Sequence, residues 1–210
     1  MAGRSERCRR RSAGGPGDGR GDGRGGDRRG GGGRRGDGRG GGGRSLGRMT
    51  PEDLIAHYAL EPIPREGGRF RQTWAGPERD DGRPEGTAIV ALLTTEPGDR
   101  SALHRLPGDE IWHYHLGDPL RMLLLAPDGS SRVVVLGPQV LDGQHVQYVV
   151  PAGTWMGARV PGTGDGRGWT LFGCTMAPGF TFGGYEHGDA AELALLYPDR
   201  AAEIGELGRA

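Results

Sequence analysis

Gly98-Asp-Arg-Ser-Ala-Leu-His104-Arg-Leu106-Pro-Gly-Asp-Glu110-Ile-Trp112-His113-Tyr114-His115-Leu-Gly117 decides how this chain folds. A glycine stands at each end, five residues separate Gly98 from His104, and six separate Glu110 from Gly117. From Glu110 to Leu116 the residues alternate with the period of a β-strand, in which every second side chain shares a face. Glu110, Trp112 and Tyr114 are therefore expected to point inward together. His113 and His115 then face the other way, unless a bulge shifts the register. Read as letters, His104, Glu110, His113 and His115 look like a metal cluster. Read as a strand, they separate into two pairs.

The surrounding sequence has the same rhythm. Strand-like runs are expected over Arg69–Trp74, Thr87–Thr94, Glu110–Leu116, Leu120–Leu125, Arg132–Leu136, Val146–Val150, Thr154–Val160 and Trp169–Met176. Turn residues separate them, as in Pro97-Gly98, Gly117-Asp118-Pro119, Pro127-Asp128-Gly129 and Asp142-Gly143. One helix is expected from Thr50 to about Tyr58, with Thr50 as cap, Pro51 in the first turn and Asp53 three residues after the cap. Two more are expected over Ala190–Tyr197 and Ala201–Leu207, broken by Pro198. Many short strands with frequent turns predict an all-β sandwich or barrel.

The opening stretch also matches the first motif of the cupin superfamily, G-x5-H-x-H-x3,4-E-x6-G, at every position but one, where Leu106 replaces a histidine. Pro151-Ala152-Gly153 matches the P-x-G of the second cupin motif, and Met156 stands where that motif has its last histidine. Four strings together resemble a cupin family of unassigned activity, DUF985 or Cupin_5. They are Pro64-Arg-Glu-Gly-Gly-Arg-Phe-Arg-Gln-Thr73, Asp109-Glu-Ile-Trp-His-Tyr-His-Leu-Gly-Asp-Pro119, Val150-Pro-Ala-Gly-Thr-Trp155 and Gly173-Cys-Thr-Met-Ala-Pro-Gly-Phe180. The resemblance implies a single-domain jelly-roll β-barrel of the RmlC-like kind, with short N- and C-terminal helices. It also implies a homodimer, with Arg69–Trp74 as the exchanged arm.

The composition divides the chain near residue 48. Residues 1–48 hold 20 glycines, 14 arginines and 5 acidic residues, a net of +9, and the remainder holds 13 arginines and 22 acidic residues, a net of −9. The first segment has too few apolar residues to offset chain entropy by burial, so disorder is expected there. It resembles an RGG-like nucleic-acid segment, but it lacks aromatics to stack on bases, so nucleic acid is not the expected partner. The whole chain has no lysine, which points to a GC-rich coding sequence. In such DNA, Gly/Arg/Asp runs arise upstream of genes, and the favoured reading is that the protein opens at Met49. Residues 49–210 are expected to form one domain. No apolar run reaches the ~20 residues that span a bilayer, and the basic start is not followed by the apolar stretch of a secretory signal. A cytoplasmic location is the default. Cys8 and Cys174 are not expected to pair.

The candidate site centres on His104 and Glu110. A metal needs three or four converging donors, and the resemblance supplies only these two, with His145 and Glu186 as unplaced candidates. No cofactor is therefore the first expectation, and a divalent transition metal held by His104 and Glu110 is the alternative. Acid–base catalysis needs less, because a histidine titrates near pH 6.5 and a carboxylate can orient it. The dTDP-keto-sugar epimerases, which are metal-free cupins, resemble this arrangement, with a base histidine in the same early motif. The expected ligand is a small molecule, with a sugar-like one as the candidate, in a pocket walled by Trp112, Tyr114, Trp155 and Met156, with Arg71 contacting an anion or carbonyl. Three functions follow: a metal-independent sugar or keto-substrate isomerase or epimerase using His104, a metal-dependent cupin enzyme, or a non-catalytic binding or storage cupin.

Overall fold

The computed structural model describes residues 49–162 and 164–208. The expectations for residues 1–48 lie outside the described residues. The chain runs through a helix, α1 (Pro51–Tyr58), and eleven strands. These are β1 (Glu61–Pro62), β2 (Arg69–Ala75), β3 (Thr87–Thr94), β4 (Ser101–Arg105), β5 (Glu110–Gly117), β6 (Leu120–Leu125), β7 (Ser131–Leu136), β8 (Gln147–Val150), β9 (Trp155–Arg159), β10 (Trp169–Met176) and β11 (Glu186–His187). Helices α2 (Ala190–Leu196) and α3 (Ala201–Leu207) follow.

The strands form two antiparallel sheets, one of six in the order β1-β2-β3-β10-β5-β8 and one of five in the order β11-β4-β9-β6-β7. The jelly-roll expectation holds, but the sheets are not closed into a barrel; they stack as a sandwich. Their inner faces share one buried cluster, in which Leu93, Trp112, Phe172 and Met176 of the larger sheet meet Met122, Leu136, Met156 and Ala158 of the smaller. Burial of side chains this size is worth about 1.5–3 kcal/mol each and drives the stacking.

The helices cover the outer faces. The α1 helix starts where the sequence predicts. Thr50 Oγ1 accepts the Asp53 N–H at 3.2 Å and the Asp53 carboxylate accepts the Thr50 N–H at 3.0 Å, a reciprocal capping box. Leu54 and Leu60 pack on Leu92, Trp169 and Leu171 outside the six-stranded sheet. Across the molecule, Leu193, Ile204 and Leu207 cover Leu103, Leu123 and Leu125. No helix among the described residues is long and apolar enough to cross a membrane.

Two irregularities place the site. Opposite β10, Leu116 pairs with Leu171 and Tyr114 with Phe172, so His115 is the extra residue of a bulge. In β4, Ser101 pairs with Ala158 and His104 with Met156, so the register slips between them. Strand β2 pairs with β3 of its own chain.

Candidate functional site

One cavity of about 340 Å³ opens at one end of the sandwich. Cross-strand rows of the six-stranded sheet build one wall. Gln72, Ile89, Cys174 and Trp112 stand opposite one another on β2, β3, β10 and β5, and Thr87, Met176 and Glu110 form the next row. The other wall is His104 from β4 and Leu106 just beyond it. Two loops complete the cavity: residues 63–66 before β2, and Phe180, Phe182 and Tyr185 after β10.

His104 is buried, with 2% of its side chain exposed. Its Nδ1 lies 2.8 Å from the Ala102 carbonyl oxygen, which can only accept a hydrogen bond. Nδ1 therefore carries the proton in the neutral ring, and Nε2 holds the lone pair. The Tyr185 ring stacks on the imidazole, with centroids 5.3 Å apart and planes 17° from parallel. Glu66 Oε1 lies 4.0 Å from Nδ1 and accepts the Ser101 hydroxyl at 2.7 Å. The Ala102 N–H donates to the Glu66 carbonyl oxygen at 2.9 Å, which stitches the loop to β4. Glu66-Gly67-Gly68 lies in a turn before β2. The turn has positive φ at Arg65, Gly67 and Gly68, and its function is to deliver Glu66 beside His104.

Glu110 sits two residues before Trp112 on one face of β5, and its Oε2 accepts the Trp112 Nε1–H at 2.8 Å. Burial raises its carboxyl from the ordinary 4.5 to about 6, with the nearby Glu66 charge also raising it. His104, Trp112 and Cys174 pull in the opposite direction and do not cancel the burial. The Cys174 thiol is pushed well above its ordinary range, first by burial and then by the Glu110 and Glu66 charges, so it stays protonated.

The structure thus brings His104, Glu110, Trp112 and Arg71 to the cavity wall. Arg71 stands at the rim, half exposed, with Nη1 3.9 Å from Glu61 Oε1. Tyr114, Trp155 and Met156 lie elsewhere. Tyr114 turns its hydroxyl back to the Gly117 carbonyl oxygen at 2.8 Å. Trp155 is on the opposite face of β9 from Met156, beneath the C-terminal helices, with the Arg105 guanidinium 4.5 Å over its ring. Met156 is buried in the core between the sheets. His113 bonds Thr175 Oγ1 at 2.9 Å away from the cavity, His145 packs on Tyr148, and Glu186 pairs with Arg105 at 2.6 Å.

The donors at the cavity do not fit a transition metal. Leu106 and Met156 occupy two of the positions the cupin motifs give to ligands, which leaves one imidazole nitrogen, His104 Nε2, and the Glu110 carboxylate, fewer than the three or four donors a transition metal needs. Among the described residues, no three His, Cys, Asp or Glu side chains are grouped to hold an ion.

Comparison with known proteins agrees with the fold. The family model Cupin_5, described as the cupin superfamily (DUF985), matches residues 52–200. The chain is similar to a hypothetical protein from Leishmania major, with 33% identity and a TM-score of 0.69 over 77% of this chain and 100% of that one. It is also similar to a protein of known structure from Shewanella oneidensis, with 32% identity and a TM-score of 0.69 over 77% and 98% of the two chains. No curated protein matches. With the family model covering most of its length and two relatives matched almost end to end, the chain belongs to the Cupin_5 (DUF985) family of the cupin superfamily.

Proposed function

We propose that this cupin is a metal-independent isomerase or epimerase that moves a proton on a carbon next to a carbonyl, in a small sugar-like or keto substrate held in the cavity. The observation that carries this reading is the 2.8 Å contact between His104 Nδ1 and the Ala102 carbonyl oxygen, which fixes the tautomer. The Nδ1–H is committed to the Ala102 carbonyl oxygen, so the lone pair of Nε2 is the ring's basic site. In the forward step the C–H bond breaks, its electron pair passes into the carbonyl as an enolate, and the proton moves to Nε2. The imidazolium so formed lies beside Glu66, whose charge stabilises it. Returning the proton to the same or a neighbouring carbon from Nε2, or from the carboxyl of Glu110, completes an epimerisation or isomerisation without an outside reactant. An acid with a pKa of about 6 is suited to that role near neutral pH.

The test is solvent deuterium exchange, followed by nuclear magnetic resonance, across a panel of small ketones and keto-sugars. Wild type is expected to exchange the proton next to the carbonyl of its substrate, and His104→Ala to lose about 10²–10⁴-fold of that rate. Circular dichroism of the variant should match wild type. Retained exchange in His104→Ala removes the histidine from the mechanism. The largely apolar lining supports a second reading, a binding cupin without chemistry. In that case a ligand raises the melting temperature with its concentration and no proton exchanges.

A further inference from the structure

Beside His104, which is positive only when protonated, the charges around the cavity are mostly negative. Three carboxylates reach it: Glu61 at the exposed mouth, Glu66 in the wall, and the buried Glu110. The only arginine in its lining among the described residues is Arg71, which faces Glu61 across 3.9 Å at the rim. Arg65 lies nearby but sits over the Tyr185 ring, 5.5 Å from its centroid, and is outside the lining. Between the carboxylates the surface is aromatic: Phe70, Trp112, Phe172, Phe180, Phe182 and Tyr185. Aromatic faces attract cations through their quadrupoles, and carboxylates in a partly desolvated cavity attract them more strongly than in water. The same groups repel an anion, which would find no unpaired guanidinium to receive it.

We infer that the ligand of this cavity is a small organic cation, an amine-bearing molecule with an apolar or aromatic body, and that carboxylates and phosphate esters are excluded. Nucleotide sugars and keto acids are thereby ruled out as substrates, and amino sugars and amino ketones are favoured. This inference rests on the reading that the substrate occupies the cavity, not on the reaction proposed for it.

Three probes of one shape and different charge test it by calorimetry on the full chain: 3-phenylpropylamine, 3-phenylpropan-1-ol and 3-phenylpropanoate. The amine is expected to bind at least about tenfold more tightly than the alcohol, and the propanoate most weakly. In Glu61→Gln/Glu66→Gln the amine's advantage should fall by about tenfold while the alcohol's affinity stays within twofold or so. The inference is overturned if the propanoate binds as well as the amine, if the preference survives the double variant, or if the amine fails to bind at millimolar concentration. His104→Ala separates the two proposals, since it should abolish proton exchange and leave the order of the three probes unchanged.

Discussion

Ser101 donates its hydroxyl hydrogen to Glu66 Oε1 at 2.7 Å, tying the start of β4 to a turn far away in sequence. The same carboxylate oxygen is the one 4.0 Å from His104 Nδ1. Ser101→Ala removes the tie without touching the cavity contents. It should cost about 1 kcal/mol of stability by urea denaturation and lower turnover with little change in KM, because a looser Glu66 stabilises the imidazolium less well. Unchanged turnover would show that Glu66 is held well enough by its backbone.

Glu110 gives the pH dependence. Its folded-state carboxyl, at about 6, lies above the ordinary 4.5, so the folded protein binds that proton more tightly than the unfolded chain does. Its contribution is complete below about pH 4.5 and is lost as the pH rises through about 6, a loss on the order of 2 kcal/mol. Glu110→Gln keeps an acceptor for the Trp112 Nε1–H and has no proton to lose. The stability difference between variant and wild type should therefore grow in the variant's favour from pH 4 to pH 7. A difference that is flat with pH would place the titration elsewhere.

The two apolar residues at the cupin ligand positions can be reversed. Met156 is the register partner of His104, and Leu106 stands two residues further along in the cavity wall. Leu106→His/Met156→His should therefore gather three imidazoles and Glu110 around one point. We expect about one equivalent of a transition metal in the purified double variant by elemental mass spectrometry, and markedly less in wild type grown beside it. Equal metal in both would show that the wild-type donors suffice.

Gly117 closes the motif for a steric reason. Its φ is 104°, and a Cβ there would meet the Trp169 carbonyl oxygen at 2.2 Å. Gly117→Ala should destabilise the protein by more than about 1–3 kcal/mol, since strain and a backbone clash combine. Thermal unfolding would measure it, and a melting temperature within a degree or so of wild type would contradict it.

The strands that alternate or run wholly apolar were legible in the sequence. Thr87–Thr94, Leu120–Leu125 and Trp169–Met176 are where the pattern puts them. Strand β4, which carries His104, was not, because Ser-Ala-Leu-His is buried residue after residue and lacks alternation. The two-residue strands β1 and β11 are too short to show any period. At the site, Glu110, Trp112 and Tyr114 followed from the period of two: all three face inward, Tyr114 packing against the core just before the bulge at His115 but outside the cavity lining. Glu66 and Tyr185 left no local signal. They belong to loops whose position depends on contacts far away in sequence, such as the bond from Ala102 N to the Glu66 carbonyl oxygen.

Strand β11 follows directly on Phe182 and Tyr185, and it is held to β4 by a ladder of two residues, Glu186 opposite Arg105 and His187 opposite His104. The Arg105–Glu186 ion pair that reinforces it is solvent-exposed, so it adds little and salt weakens it. Among the described residues the pairing continues only through the Gly188 N–H donating to the Leu103 carbonyl oxygen at 2.7 Å, so peeling this short strand away should cost less than melting the sandwich. The strand beside His104 is thus an easily opened edge of the cavity, and a ligand's residence time should shorten modestly as ionic strength rises while global stability barely changes.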